Sequence, residues 1–199
     1  MLKRLLRRRT KRADPAAECF RLFFHRQFGH PGKSLTVYRD DDDSAPTIDI
    51  DVHRAPWDDS VYALVSVGLS FYTRRHGERA EVMLLADEVP WDAETAMARI
   101  VGLLATEPAA LGLGEFYEGV QSFGDIAKRY GKVAMVLTTP DIEGQSLMHV
   151  ECDDGPGHVF LLVPITGPER DLVAAEGWSA LEPLLQGVDV SSMKRPSVV

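Results

Sequence analysis

Two periods of apolar residues alternate along the chain, and the switches between them mark its elements. In the first stretch, Phe20, Phe23, Phe24 and Phe28 fall on one face at helical spacing. Asp14-Pro15 supplies an N-cap followed by proline at the first helical position, where a missing N–H costs nothing, and Gly29 with Pro31 ends the helix. "LTVYR" (35–39) predicts a short strand, and the acidic "RDDDDSAP" (39–46) a solvated loop. "TIDIDVH" (47–53) then alternates strictly: Ile48, Ile50 and Val52 face one way, Asp49, Asp51 and His53 the other. That pattern predicts a half-buried strand. "VYALVSVGLS" (61–70) is apolar almost throughout, which predicts a central strand covered on more than one side. "AEVMLLAD" (80–87) follows, and the three runs predict an antiparallel meander.

A helix is predicted from Trp91, with Asp92 as N-cap, Met97, Ile100, Val101 and Leu104 as its stripe, and Pro108 beyond its end. Residues 110–126 are glycine-rich and irregular, a long loop of the kind that forms binding surfaces. "VAMVLTTP" (133–140) and "HVFLLVPIT" (158–166) read as strands, with "LMHVEC" (147–152) pairing with the latter across "DDGPG". Thr166-Gly167-Pro168-Glu169 fits a capping box. The helix it opens carries Leu172 and Val173 and stops at Gly177. Ser179 is placed to cap a second short helix with Leu181, Leu184 and Leu185, and Pro183 lies in its first turn. The expected architecture is α+β: one mostly antiparallel sheet with helices packed on it.

Charge changes this picture at one end. Residues 1–12, "MLKRLLRRRTKR", hold seven Lys/Arg and no acid, which leaves 15 basic against 30 acidic residues in the remainder, a net −15. We expect a basic, disordered arm over residues 1–13 and a single domain over 14–197. An acidic body is the wrong sign for a nucleic-acid-binding face. No apolar run is long enough for a membrane crossing, and none follows the basic residues as a signal peptide requires. Cys19 and Cys152 lack any C-x-x-C pairing and read as two free thiols, which together with the missing signal predicts a cytoplasmic protein.

Candidate chemistry is sparse. Gly68-Leu69-Ser70 resembles the start of a nucleophile elbow, but that turn needs G-x-S-x-G, and Tyr72 stands where the second glycine belongs. Ser66 and Ser70 are therefore read as strand residues, with Gly68 at a bulge or a close backbone approach. Asp49, Asp51 and His53, two residues apart on one strand face, are the candidate metal ligands; against them stands the polar face of an ordinary amphipathic strand. His25, His30, His76, His149 and His158 show no HExxH or HxH spacing. Glu115 and Glu118 could form an acid/base pair, and "GLGEFYEG" lacks the lysine of a phosphate loop. Trp57, Trp91 and Trp178 have no interleaved basic residues and read as core or interface anchors. No cofactor is expected.

Several stretches together resemble the Suppressor of fused (SUFU) domain of the SUKH superfamily. They are "IDIDVHRAP" (48–56), "ALVSVGLS" (63–70), "AEVMLL" (80–85), the helix from Trp91, and "VFLLVPITGPERDLVAAEGWSALEPLL" (159–185). The terminal "KRPS" (194–197) sits where that family tends to place an arginine. The resemblance makes Pro56, Gly68, Ser70, Glu81, Pro164, Thr166, Glu169 and Gly177 the family-motif positions, structural rather than catalytic. Trp57 and Val67 depart from the pattern. It implies a non-enzymatic protein-binding domain with a protein partner and no cofactor, too short for the second lobe of the animal protein. Compact bacterial relatives are proposed to be immunity proteins that neutralise toxins, often nucleases; a −15 body suits a basic cleft. The alternatives are an intracellular adaptor that binds an endogenous peptide by strand addition, and a metal-dependent enzyme built on Asp49, Asp51 and His53.

Overall fold

A computed structural model describes residues 14–38, 47–73, 79–87, 91–108, 111–118, 128–142, 145–146 and 149–199. The basic arm, the acidic run at 39–46, His76 and residues 119–126 of the glycine-rich loop lie outside them.

The two apolar periods produce one large sheet with helices on both faces. Helix α1 (Pro15–Phe28) is followed by strands β1 (Lys33–Tyr38), β2 (Ile48–Arg54) and β3 (Tyr62–Val67), a one-turn helix α2 (Leu69–Thr73), and β4 (Ala80–Ala86). Helix α3 (Trp91–Thr106) leads to β5 (Phe116–Glu118), β6 (Lys132–Thr138), β7 (Asp141–Ile142), β8 (Gln145–Ser146), β9 (His149–Cys152) and β10 (Gly155–Thr166). Helices α4 (Gly167–Glu176) and α5 (Trp178–Leu181) and a 3₁₀ turn (Glu182–Leu185) follow. The sheet order is β1-β2-β3-β4-β10-β6-β5, with β9 paired to the first half of β10; β7 and β8 form a separate ribbon. All pairings in the large sheet are antiparallel except β4 with β10, which run parallel from Ala80↔His158 to Leu84↔Leu162.

Alternation along the strands divides the core into two layers. Ile48, Ile50, Leu64, Val82, Leu84, Leu137 and Leu162 face α3, whose Met97, Ile100, Val101 and Leu104 are all fully buried. Val65, Val67, Met83, Val136, Leu161 and Val163 face the other way, against Phe20, Phe24 and Phe28 of α1 and Val173 and Leu181 of α4 and α5. Coverage on both faces explains why the central strands read as continuous apolar runs.

Four local expectations are corrected. The run 61–70 is not one strand: it ends at Val67, and Ser70 lies in α2. Asp92 lies within α3 rather than before it, because the helix already starts at Trp91. Gly177, at φ +84°, separates α4 from α5, so Ser179 falls inside α5 and does not cap it. Finally, the glycine-rich loop contains a strand: β5 pairs with β6 at Phe116↔Val136 to Glu118↔Ala134.

The two cysteines are bonded to each other, which corrects the free-thiol reading. Their separation of 133 residues concealed the pairing, but α1 packs on β9 and brings their Cα atoms to 5.8 Å, within the span a disulfide requires. A cytoplasmic location thereby loses the support it drew from unpaired thiols.

Candidate functional site

Six of the eight positions singled out by the resemblance, Gly68, Ser70, Glu81, Pro164, Thr166 and Glu169, lie in two buried knots. The first is built around Glu81 on β4, whose side chain is fully buried. Its carboxylate accepts hydrogen bonds from the backbone N–H groups of Gly68 (2.8 Å), Leu69 (3.2 Å) and Ser70 (3.1 Å) and from the Ser66 hydroxyl (2.6 Å). Ser66 Oγ in turn accepts from the Val82 amide at 2.9 Å. The three amides are those exposed where α2 begins, so the carboxylate from the neighbouring strand stands in for a missing cap. Gly68 makes the turn possible. It sits at φ +110°, and a Cβ there would lie 2.6 Å from the Thr47 carbonyl oxygen. Burial raises the Glu81 pKa to about 7, against the donors from Ser66, Ser70 and Gly68, which lower it.

The second knot closes the chain's last turn on β10. Glu169 and Arg195 form a buried, two-pronged ion pair, Nη1–Oε1 at 2.6 Å and Nη2–Oε2 at 3.1 Å. Glu169 also accepts from the amides of Thr166 (2.8 Å) and Val198 (3.0 Å), and its capping box with Thr166 is formed. Arg195 Nη2 donates to the Pro164 carbonyl at 2.8 Å. Pro164 lies just past Leu162, where β4 stops pairing with β10, so its missing N–H breaks no bond of the parallel ladder. Below the pair, the fully buried Lys132 donates from Nζ to the Arg195 carbonyl at 2.8 Å. Burial would raise the Glu169 pKa, but Arg195 and the Thr166 and Val198 amides outweigh it and hold the carboxyl below its usual value. Burial, then the Arg195 charge, pushes Lys132 down to about 8, against the attraction of Glu169. Sequence reasoning missed Lys132; its only signal was a lysine at the head of an apolar strand.

Both knots are buried and bonded internally. Ser70 is fully buried, and its amide is spent on Glu81. The three metal candidates stand among protein groups. Asp49 accepts from Thr36 Oγ1 at 2.7 Å and lies 3.6 Å from Arg21 of α1, which also stands 4.0 Å from Asp51. His53 Nδ1 lies 2.9 Å from the Gly29 carbonyl oxygen and donates to it. The polar face of β2 is therefore roofed by α1, with Asp51 and His53 buried; of the two His53 ring nitrogens only Nδ1 is bonded, and the buried Nε2 has no hydrogen-bond partner among the described residues. Among the described residues no group of three or more His, Cys, Asp or Glu side chains is arranged to hold a metal ion. Glu118 meets Arg170 of α4 at 3.7 Å, which makes an exposed ion pair of one member of the proposed acid/base couple. Pro56 is exposed in the β2–β3 connection. Trp57 packs against Phe28, ring centroids 5.7 Å apart, and Trp178 lies against Gly114, both as partial core residues.

What remains for function is surface. Strand β1 ends the sheet order and presents an edge, and no described helix is long and apolar enough to cross a membrane. The family model for Suppressor of fused protein (SUFU) matches residues 46–196, a span that contains the first knot and all of the second except Val198. The chain belongs to the Suppressor of fused family. That is a family of protein-binding regulators. A SUFU homolog from Neisseria gonorrhoeae superposes with a TM-score of 0.69 at 18% identity, over 93% of this chain and 95% of that one. Sufu in the Sufu–Fu complex gives 0.60 at 14% identity, over 92% and 90%. Drosophila Suppressor of Fused gives 0.61 at 14% identity, over 95% of this chain and 52% of that one. These likenesses establish the SUFU fold. Comparison with curated protein sequences gave no match.

Proposed function

We propose that this SUFU chain is a non-enzymatic, single-domain binding protein that neutralises a basic partner, in the manner of an immunity protein against a toxin. The observation that carries this reading is that the motif residues are consumed in holding the fold. Residues 13–199 carry a net −15, and most of their acids lie outside the two knots. Such a surface draws a basic cleft by long-range attraction and covers it by charge complementarity. The Sufu–Fu structure contains a relative bound to a protein, which accords with a protein partner. The test is co-expression with toxin genes encoded beside this one. Rescue of growth and a co-purifying complex are expected, and neither appearing counts against the proposal.

A second reading rests on β1, the end of the sheet among the described strands. An endogenous peptide could add to that edge as a further strand, with main-chain hydrogen bonds supplying affinity and alternate side chains specificity. A single housekeeping partner recovered by pull-down, displaced when proline replaces Thr36 on β1, would favour the adaptor over the immunity protein.

A further inference from the structure

A groove of about 680 Å³ runs between α1 and β9. Leu22 and Phe23 of α1 and Val150 of β9 give it an apolar floor, which the Cys19–Cys152 bond crosses. Its rim carries Glu18, Glu151, Asp153 and Asp154 against one arginine, Arg26. Glu18 also meets Arg21, and Asp154 meets Arg79, while Glu151 and Asp153 are exposed. Leu22 is 48% exposed, high for a leucine at the centre of a groove.

We propose that this groove is the docking site of the chain's own basic segment, residues 1–13. This contact is separate from partner binding and does not rest on it. Complementarity is the first argument. The segment has seven Lys/Arg and no acid for the rim, and Leu2, Leu5 and Leu6, at helical spacing, for the floor. Connection is the second. The segment joins the body at Asp14, next to Pro15, which lines the end of the groove. Asp14 is extended (φ −65°, ψ 125°), as the residue before a proline must be, so the chain breaks from the α1 axis instead of prolonging it. Reach is the third. Thirteen residues span up to roughly 45 Å extended and about 20 Å as helix. The 14-residue α1 that forms the wall is itself only about 21 Å long. Tethering holds the segment at an effective concentration of order millimolar, so modest contacts suffice. The disulfide joins the two walls and fixes their separation for the incoming leucines.

The test uses the full chain. A zero-length carbodiimide joins lysine amines to carboxylates in contact, so mass spectrometry should find Lys3 or Lys11 linked to Glu18, Glu151 or Asp153. In an equal mixture of ¹⁵N-labelled and unlabelled protein, those links should join segments of like isotope. Trypsin cleavage within residues 1–13 should accelerate roughly tenfold in the Leu22→Asp, Glu151→Lys double variant, because cleavage follows the undocked population. Circular dichroism checks that this variant folds; Glu151→Lys alone, at an exposed strand position, gives the reading if it does not. Absence of links to these acids overturns the proposal. So do links found only between unlike isotopes, which would mark a second copy as the occupant, and unchanged cleavage in the variant.

Discussion

Glu81 shows how much one carboxylate can hold. Above pH 7, where Glu81 is ionised, all four of its neighbours donate to it, so Glu81→Gln turns an amide NH₂ toward backbone N–H groups. We expect a loss of about 1–3 kcal/mol at pH 8 in urea titrations. The pH dependence has a definite sign. The native carboxyl keeps its proton up to about pH 7 and the unfolded one loses it near its ordinary 4.5. Folding therefore takes up a proton between these values, and stability falls as pH rises through that window. The glutamine variant should lack that slope. Gly68→Ala tests the turn beside it. The added methyl meets the Thr47 carbonyl at 2.6 Å in a backbone conformation that alanine disfavours, and a loss of about 3 kcal/mol or more is expected in thermal or urea melts. Chelator treatment, by contrast, should leave the melting temperature unchanged. Asp49 and Asp51 face Arg21 and His53 is tied to Gly29, so removal of trace metal takes nothing from them.

Among the elements, those whose signals are local were legible in the sequence. The phenylalanine stripe of α1, the capping box of α4 and the alternation of β2 each declare themselves within a dozen residues, and each stands where it was expected. Contacts that join distant elements were not legible. Glu81 lies 13 residues from Gly68, Lys132 lies 63 from Arg195, and Cys19 lies 133 from Cys152. No period in the chain reports such distances. The surroundings of the β2 polar face were hidden for the same reason: alternation gave the face, but only the packing of α1 shows that Arg21 stands over Asp49 and Asp51. These long contacts carry the element-scale predictions. Replacement of Arg195 by alanine strands a buried Glu169 carboxylate and should cost about 3–5 kcal/mol, and loss of both partners to apolar residues less than that. Lys132 loses its proton near 8 in the fold and near 10.5 outside it. The unfolded chain thus binds more protons between these values, and stability should rise with pH there. Lys132→Met should abolish the rise. Loss of the disulfide by a paired Cys19→Ala, Cys152→Ala change frees a long loop in the unfolded chain, and should lower stability by about 2–4 kcal/mol.

At the scale of the molecule, the sheet divides the labour. Its two faces are used up by α3 on one side and by α1, α4 and α5 on the other, so a partner is met by rims, edges and charge rather than by the core. Association with the basic partner proposed above should then slow as salt is raised, in stopped-flow mixing at fixed temperature, because screening weakens the attraction between opposite charges. The single parallel pairing, β4 beside β10, has a different consequence. It is the seam at which the early meander meets the late strands, and no short turn can close it, since Ala80 must wait for His158 to be made. During synthesis the ribosome must deliver nearly eighty further residues before the bare flank of β4 finds its neighbour. Throughout that interval an apolar strand lies open to any passing chain. Yield of this protein in a cell should therefore depend on chaperone supply and on the tempo of translation more steeply than its equilibrium stability would suggest.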